Sequence, residues 1–381
     1  MTDQVRVGAI GAGYWGPNLI RNFVELPESD MVAVADLNEA QLKHITTRYP
    51  SIKHAVTDYR ELFDLGLDAV VIATPPETHF AISRDCMEAG LDVLIEKPLS
   101  TSSLEARAMI RIAEHEGRVL MVGHTFEYNP AVRELKRMID DGELGALHYI
   151  DAVRVGLGLF HPTMNVAWDL GPHDVSILIH LLGAKPHTVS ARGIGCVQKD
   201  VEDIAYMTLM FPGGTLAHVR LSWLDPSKTR RLTVVGNKKM AIYDDVESLE
   251  KIRVYDKGVD ASRRTDTFGE FQFAYRYGSI VSPYIRLEEP VRLECQHFIE
   301  CVRDRALPLT DGYNGLRVVE VIEAAQLSLK SEGLPVTVEY TPVVDLVQIN
   351  GNGNGSHSIA SNGNHQGRDA TEQTTEALQY R

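Results

Sequence analysis

Apolar positions in the first third of the chain come as short blocks, each followed by a segment of helical period. The blocks are Val5-Arg6-Val7-Gly8-Ala9-Ile10, Met31-Val32-Ala33-Val34-Ala35, Asp68-Ala69-Val70-Val71-Ile72-Ala73, Val93-Leu94-Ile95 and Val119-Leu120-Met121-Val122-Gly123. Near-continuous apolar runs of this length read as strands buried on both faces. Leu19, Ile20 and Phe23 fall at helical spacing, and residues 38–49, 80–89 and 103–116 read as further helices. Residues 58–63 read as a short helical turn. Gly90 suits a helix C-cap, and Ser102-Ser103-Leu104-Glu105 a capping box. Strand–helix alternation predicts an α/β N-terminal domain over residues 1–124, a doubly wound parallel sheet.

The period changes after Gly123. One more helix, Pro130 through Asp140, is followed by longer strand-like runs: Leu147–Val155, Val189–Ile194, Ala205–Phe211, Leu216–Trp223, Arg231–Val235 and Met240–Tyr243. Gly213-Gly214 and Gly236-Asn237 mark turns between neighbours. This predicts an α+β C-terminal domain over residues 125–342, with a large, mostly antiparallel open sheet. One face of such a sheet needs covering by a helix, a ligand or a second subunit. Helices are expected at residues 166–178, 294–304 and 316–329. Residues 343–381 are rich in Gly, Asn, Ser and Gln and read as a disordered low-complexity tail.

Composition narrows the class. The 381 residues suit two domains of ordinary size, with 44% hydrophobic and 24% charged content. The net charge of -14 argues against nucleic acid as the main partner. No run approaches the roughly 20 apolar residues of a membrane span. Cys86, Cys196, Cys295 and Cys301 form no Cys-x-x-Cys pair, and the N-terminus lacks a signal-peptide layout. Together these predict reduced thiols, no metal site and a cytoplasmic location.

Three places carry candidate chemistry. Gly11-Ala12-Gly13-Tyr14-Trp15-Gly16 joins the first strand to the first helix. In that setting Gly11 permits a tight turn, Gly13 lets backbone approach a pyrophosphate, and Gly16 allows close helix packing. Asp36 ends the next strand, about 20 residues past the motif, where a carboxylate accepts hydrogen bonds from an adenosine ribose. It would repel a 2′-phosphate, so NAD is expected over NADP. Thr74, Pro75 and Pro76 break another strand at its carboxyl end, and with His79 they could wall the cofactor site. His79 alternatively is a first-turn residue of the next helix. Glu96-Lys97-Pro98 places an acid and an ammonium at a third strand end, where open α/β sheets bind ligands. Asp169 and His173 are four apart, so they share one face of the expected helix, a plausible general base with its orienter. Asp174 reads as a solvated rival partner. Arg154 and His161 could reach a diphosphate or carboxylate, or be a solvated strand residue and a loop histidine.

These motifs, in this order, resemble the Gfo/Idh/MocA family of oxidoreductases. The resemblance runs from about Val5 to Tyr340 and rests on the glycine motif, Ala73-Thr74-Pro75-Pro76 with His79, Glu96-Lys97-Pro98, and Asp169 with His173. It implies a nicotinamide-dependent dehydrogenase acting on a sugar or polyol. Lys97 would be the catalytic lysine, the bond into Pro98 would be cis, and His173 would be the acid/base with Asp169 beside it. It also implies a homodimer or homotetramer built through the C-terminal sheet. A narrower resemblance runs to nucleotide-sugar members that oxidise the 3-hydroxyl of UDP-N-acetylglucosaminuronic acid. It rests on the glycine motif with Pro17-Asn18, Tyr128-Asn129-Pro130-Ala131-Val132, and Asn165-Val166 with Trp168-Asp169-Leu170 and Pro172-His173-Asp174. It makes Tyr128, Asn129, Arg154 and Asn165 substrate candidates. Glu127 departs from polyol-acting relatives, many of which carry an arginine nearby. The competing expectations are an inositol or free-sugar dehydrogenase, an NADPH-dependent ketosugar reductase, and a non-catalytic NAD-binding sensor.

Overall fold

Apolar strands with no polar face must be covered on both sides, and the chain meets that demand with helices from both of its ends. The computed structural model describes residues 4–261 and 273–338; the expected tail lies outside them. The first sheet holds β1 (Val5–Ile10), β2 (Ser29–Ala35), β3 (His54–Val56), β4 (Ala69–Ile72), β5 (Asp92–Glu96) and β6 (Leu120–Gly123). All pairs are parallel, in the order β3-β2-β1-β4-β5-β6. The order reverses between β1 and β4, which opens a crevice at their carboxyl ends. The helices between the strands are α1 (Gly16–Glu25), α2 (Glu39–Arg48), α3 (His79–Glu88) and α4 (Ser103–Glu116). Residues Tyr59–Leu65 form a 3-10 turn. The sequence pattern misses β3, a three-residue edge strand too short to show a period.

The second sheet has nine strands: β7 (Leu147–Val155), β8 (Thr188–Ile194), β9 (Ile204–Met210), β10 (Leu216–Ser222), β11 (Thr229–Gly236), β12 (Met240–Asp244), β13 (Ile252–Ala261), β14 (Phe273–Val281) and β15 (Val336–Thr337). Their order is β14-β13-β12-β11-β7-β10-β9-β8-β15, antiparallel except for the parallel pair β7/β10. β13 and β14 escape the sequence reading because their alternation is interrupted by charged residues and glycine, as in Tyr255-Asp256-Lys257-Gly258. α5 (Pro130–Asp140), α6 (Val166–Asp169), α7 (Gly171–Leu182) and part of α9 (Gly312–Lys330) pack on one face of this sheet.

α8 (Pro290–Asp304) returns to the first sheet. Its Val291, Cys295, Phe298 and Val302 join the core that also holds Phe23 and Ile20 of α1, with Phe23 and Phe298 edge-to-face at 6.3 Å. α9 serves both cores: Val319 packs toward the first sheet, and Val318, Val321 and Ile322 toward the second. Its Glu320 accepts from Arg107 of α4 at 2.7 Å and from Lys185 at 2.6 Å. This helix fixes the carboxyl ends of the first sheet against the helices of the second.

α7 is anchored by a buried ion pair. Arg154 on β7 donates to Asp174 through Nε at 2.7 Å and through Nη2 at 3.1 Å. The expectation of a solvated Asp174 is therefore corrected: it is 1% exposed, because α7 turns its first turn toward the sheet. The Arg154 guanidinium also lies 4.4 Å above the Phe126 ring. Asp174→Ala strands a buried cation, so it should lower unfolding free energy by about 3–5 kcal/mol in urea titrations. A loss below about 1 kcal/mol would contradict a buried pair.

Candidate active site

The glycine motif fits a dinucleotide by its own geometry. Gly11 has φ +97°, and a Cβ there would meet the Ala73 carbonyl oxygen at 2.6 Å. A Cβ at Gly16 would meet the Gly11 oxygen at 2.1 Å, whereas one at Gly13 would find nothing within 4 Å. Two glycines thus close the turn and the third leaves backbone open to a ligand. The first turn of α1 has no side-chain cap, so no side chain competes with a phosphate at that helix end, although Pro17 has no N–H and Asn18 N is bonded to the Trp15 carbonyl at 2.9 Å. Asp36 follows β2 and accepts from Ala12 N at 2.6 Å and Asn38 N at 2.8 Å, so its carboxylate is fixed beside the loop. Tyr14 is exposed, and Glu96 Oε2 accepts from the Lys97 amide at 3.2 Å. These residues would hold NAD across the β1/β4 crevice.

The other expected wall residues line the neighbouring strand end. Thr74 Oγ1 meets Thr78 Oγ1 at 2.7 Å, and Pro75 and Pro76 lead into a 3-10 turn. His79 is the first residue of α3, as its helix-start reading expects. The ring is buried, with Nδ1 2.8 Å from the Pro98 carbonyl and Nε2 3.0 Å from the Thr74 carbonyl. It lies between the loop after β4 and the loop after β5; burial holds the ring below the usual histidine value, and a neutral imidazole donates to one of these two carbonyls.

Lys97 follows β5, and its bond to Pro98 is cis. Its Nζ donates to the Asp169 carbonyl at 2.9 Å and lies 3.4 Å from Asp169 Oδ1. A helix break makes this possible. The expected single helix is two, α6 and α7, with Pro172 in the first turn of α7. His173 N bonds the Leu170 carbonyl at 3.2 Å rather than the Asp169 carbonyl four residues back. The Asp169 carbonyl is thereby freed for Lys97. The expected Asp169–His173 partnership is also revised: the second carboxylate oxygen takes Trp223 Nε1 at 2.9 Å. His173 packs edge-to-face with Phe126 at 5.2 Å, and its Nδ1 is buried without a partner among the described residues. Burial and then the Lys97 charge hold His173 well below the usual histidine value, so it is neutral at pH 7.

The four substrate candidates have structural partners. Tyr128 is fully buried, with its hydroxyl 3.0 Å from Thr310 Oγ1. Asn129 caps α5 through Ala131 N at 2.9 Å and donates to the Tyr243 hydroxyl at 3.1 Å. Arg154 is taken by Asp174. Asn165 caps α6 and donates to Glu202 and Gln326, each at 2.8 Å. Their polar atoms support the elements around the site.

Sequence reasoning missed three residues here. Trp223 lies distant in sequence and carries no motif. His124 follows β6; burial, then the Lys97 charge, push it down to about 3, and both ring nitrogens lack partners among the described residues. Glu294, on α8, accepts from Thr125 at 2.9 Å, and burial, then the Glu96 charge, raise it well above the usual range. His124 stands directly after a predicted strand, the one signal that could have found it, whereas no local spacing signals Glu294, which long-range packing of α8 brings to the site.

Comparison with known proteins agrees with this architecture. Residues 5–124 match the model of the oxidoreductase family with an NAD-binding Rossmann fold, Gfo/Idh/MocA, and residues 132–242 match a C-terminal domain of the same family. The chain belongs to the Gfo/Idh/MocA oxidoreductases, and its nicotinamide cofactor is NAD. It is 29% identical over 263 residues to UDP-N-acetylglucosamine 3-dehydrogenase of Acidithiobacillus ferrooxidans, covering 67% of this chain and 78% of that one. It is 27% identical over 351 residues to scyllo-inositol 2-dehydrogenase (NAD(+)) of Bacillus subtilis, covering 89% and 98%. The solved structure of the Acidithiobacillus enzyme, GnnA, shares the fold with TM-score 0.71 at 24% identity, over 86% of this chain and 98% of that chain. Among the described residues no helix is long and apolar enough to cross a membrane.

Burial raises Glu96 from the ordinary 4.5 to about 7, against the opposing pull of Lys97. Between those two values the unfolded chain ionises Glu96 while the folded chain keeps the proton. Stability should therefore fall as pH rises through that window and level off above it. Glu96→Gln removes the effect, so urea midpoints of the variant should gain on wild type from pH 4.5 to 7. Parallel curves would contradict the assignment.

Proposed function

We propose that the chain oxidises a secondary hydroxyl of a sugar, most specifically the 3-hydroxyl of a UDP-N-acetylhexosaminuronic acid or related nucleotide sugar. The observation that carries the reading is Lys97, at the end of β5 and fixed by the carbonyl and carboxylate of Asp169, with neutral His173 in the first turn of α7. NAD, when bound, supplies the carbon that accepts hydride. His173 takes the proton from the substrate hydroxyl as the C–H hydride leaves. The Lys97 ammonium sits beside the developing alkoxide, a charge it can stabilise in a site that burial keeps water-poor. Asp169 holds that ammonium in place. Asp36 leaves no room for a 2′-phosphate without like-charge repulsion, which supports NAD over NADP.

The nucleotide-sugar assignment is supported by the Acidithiobacillus relative and by the Tyr128-Asn129-Pro130 and Pro172-His173-Asp174 segments. The inositol relative of Bacillus supports a second reading, a free-polyol dehydrogenase. The open face of the second sheet suits a second copy of the chain. Tyr149, Tyr206 and Leu216 are partly exposed on it, beside Thr208, Thr233 and His218 and the charged Asp151, Arg220 and Arg231.

Purified protein with NAD should form NADH in single turnover when given UDP-N-acetylglucosaminuronic acid. UDP-N-acetylglucosamine and myo-inositol run in parallel. NADH with inositol alone would replace the substrate assignment by the polyol reading. His173→Ala should slow hydride transfer by roughly 10²–10⁴-fold while leaving NAD affinity near wild type. An unchanged rate would remove His173 from the acid/base role. Size-exclusion mass well above 42.3 kDa is expected for the oligomer.

A further inference from the structure

Asp169 ends a four-residue helix immediately before a break, a place where a carboxylate is free to rotate. It does not rotate here, because each oxygen has a partner. Oδ1 faces Lys97 and Oδ2 accepts from the indole Nε1 of Trp223 at 2.9 Å. The indole is itself immobilised. Trp223 follows β10 and is 1% exposed. Its backbone N donates to Asp203 O at 3.0 Å, and its carbonyl accepts from Gly158 N at 2.9 Å. The rings of Phe160 and His161 lie 5.6 and 5.7 Å from it. Gly158 lies close enough that a Cβ there would meet Trp223 Cδ1 at 2.8 Å, so the loop after β7 clamps the ring.

The burial of a tryptophan this large needs no function, since the core of the second sheet accounts for its apolar body. The direction of its one polar atom is the informative fact. An indole N–H can only donate, and here it donates to the carboxylate that faces Lys97. We infer that Trp223 is a positioning residue of the reaction centre: it fixes Asp169, and through Asp169 it fixes the Lys97 ammonium. The inference rests on the dehydrogenase reading of Lys97 and Asp169 given above, and it adds a residue from the second sheet to the hydride-transfer machinery. Hydrogen bonds to charged groups are the stronger kind, and their loss at a transition-state contact shows in kcat.

Two measurements test it. Trp223→Phe keeps the ring and removes the donor. With whichever of the three sugars above forms NADH, kcat should fall about ten-fold or more, while KM and NAD affinity stay within about two-fold. A merely structural role would raise KM and weaken NAD binding together with kcat, or leave all three alone, and either pattern overturns the inference. The second measurement needs no substrate. The chain has 3 tryptophans, so ¹⁵N-tryptophan labelling gives three indole cross-peaks, and Trp223→Phe assigns one of them. That peak should lie downfield and move upfield in Asp169→Asn while the Trp15 and Trp168 peaks stay. An unmoved peak overturns the inference whatever the sugar panel shows. A silent sugar panel with a shifted peak faults the substrate assignment alone.

Discussion

The site depends on one backbone carbonyl that a helix does not use. In a continuous helix the oxygen of residue 169 would accept from the amide of residue 173. Pro172 suits the first turn of α7 but cannot continue α6, since it has no N–H for the Trp168 carbonyl and its ring crowds that oxygen, and the amide of His173 turns instead to Leu170. The freed Asp169 carbonyl receives Lys97 from the other sheet, 72 residues away. One interaction thus joins the cofactor-binding sheet to the helices of the second sheet at the point of chemistry. Everything around it holds the two halves in register: α9 packs into both cores, Glu320 grips Arg107 and Lys185, and α8 returns to close the first sheet.

The electrostatics follow from the same geometry. Lys97 is a cation at the end of a buried strand, and its charge acts on each neighbour according to that neighbour's sign. It holds His173 and His124 in their neutral forms, reinforcing the effect of burial. It opposes burial at Glu96 but does not overcome it. A neutral histidine beside a fixed ammonium is the pairing that proton removal from an alcohol calls for: one group with room for a proton and one that tolerates a forming oxyanion.

Much of this was legible in the residues. The glycine motif, the acid at Asp36 and the Glu96-Lys97-Pro98 strand end are local patterns, and local patterns survive in a sequence. Lys97, Asp169 and His173 could be singled out because strand ends and four-residue spacings are visible. What they do to one another was not visible. The helix break at Pro172 turned Asp169 from a partner of His173 into a partner of Lys97. Asp174 read as solvated because nothing in its neighbourhood reveals Arg154, twenty positions earlier on another element. Tyr128, Asn129 and Asn165 carry motif signals, and the sequence did not show that Tyr128 is buried or that Asn129 and Asn165 cap α5 and α6. Trp223 and Glu294 have no local signal, because long-range packing alone brings them to the site. β13 and β14 were missed for a related reason: strands whose alternation is broken by charge and glycine show no clean period of two.

The most direct test of the account is the rate of hydride transfer in Lys97→Ala, followed as single-turnover NADH formation beside a measurement of NAD affinity. The proposal, in which Lys97 would act on the reacting oxygen and Gly11, Gly13 and Asp36 would carry the cofactor, predicts a rate lower by orders of magnitude with NAD affinity close to wild type. A Lys97→Ala protein that transfers hydride at the wild-type rate would contradict it.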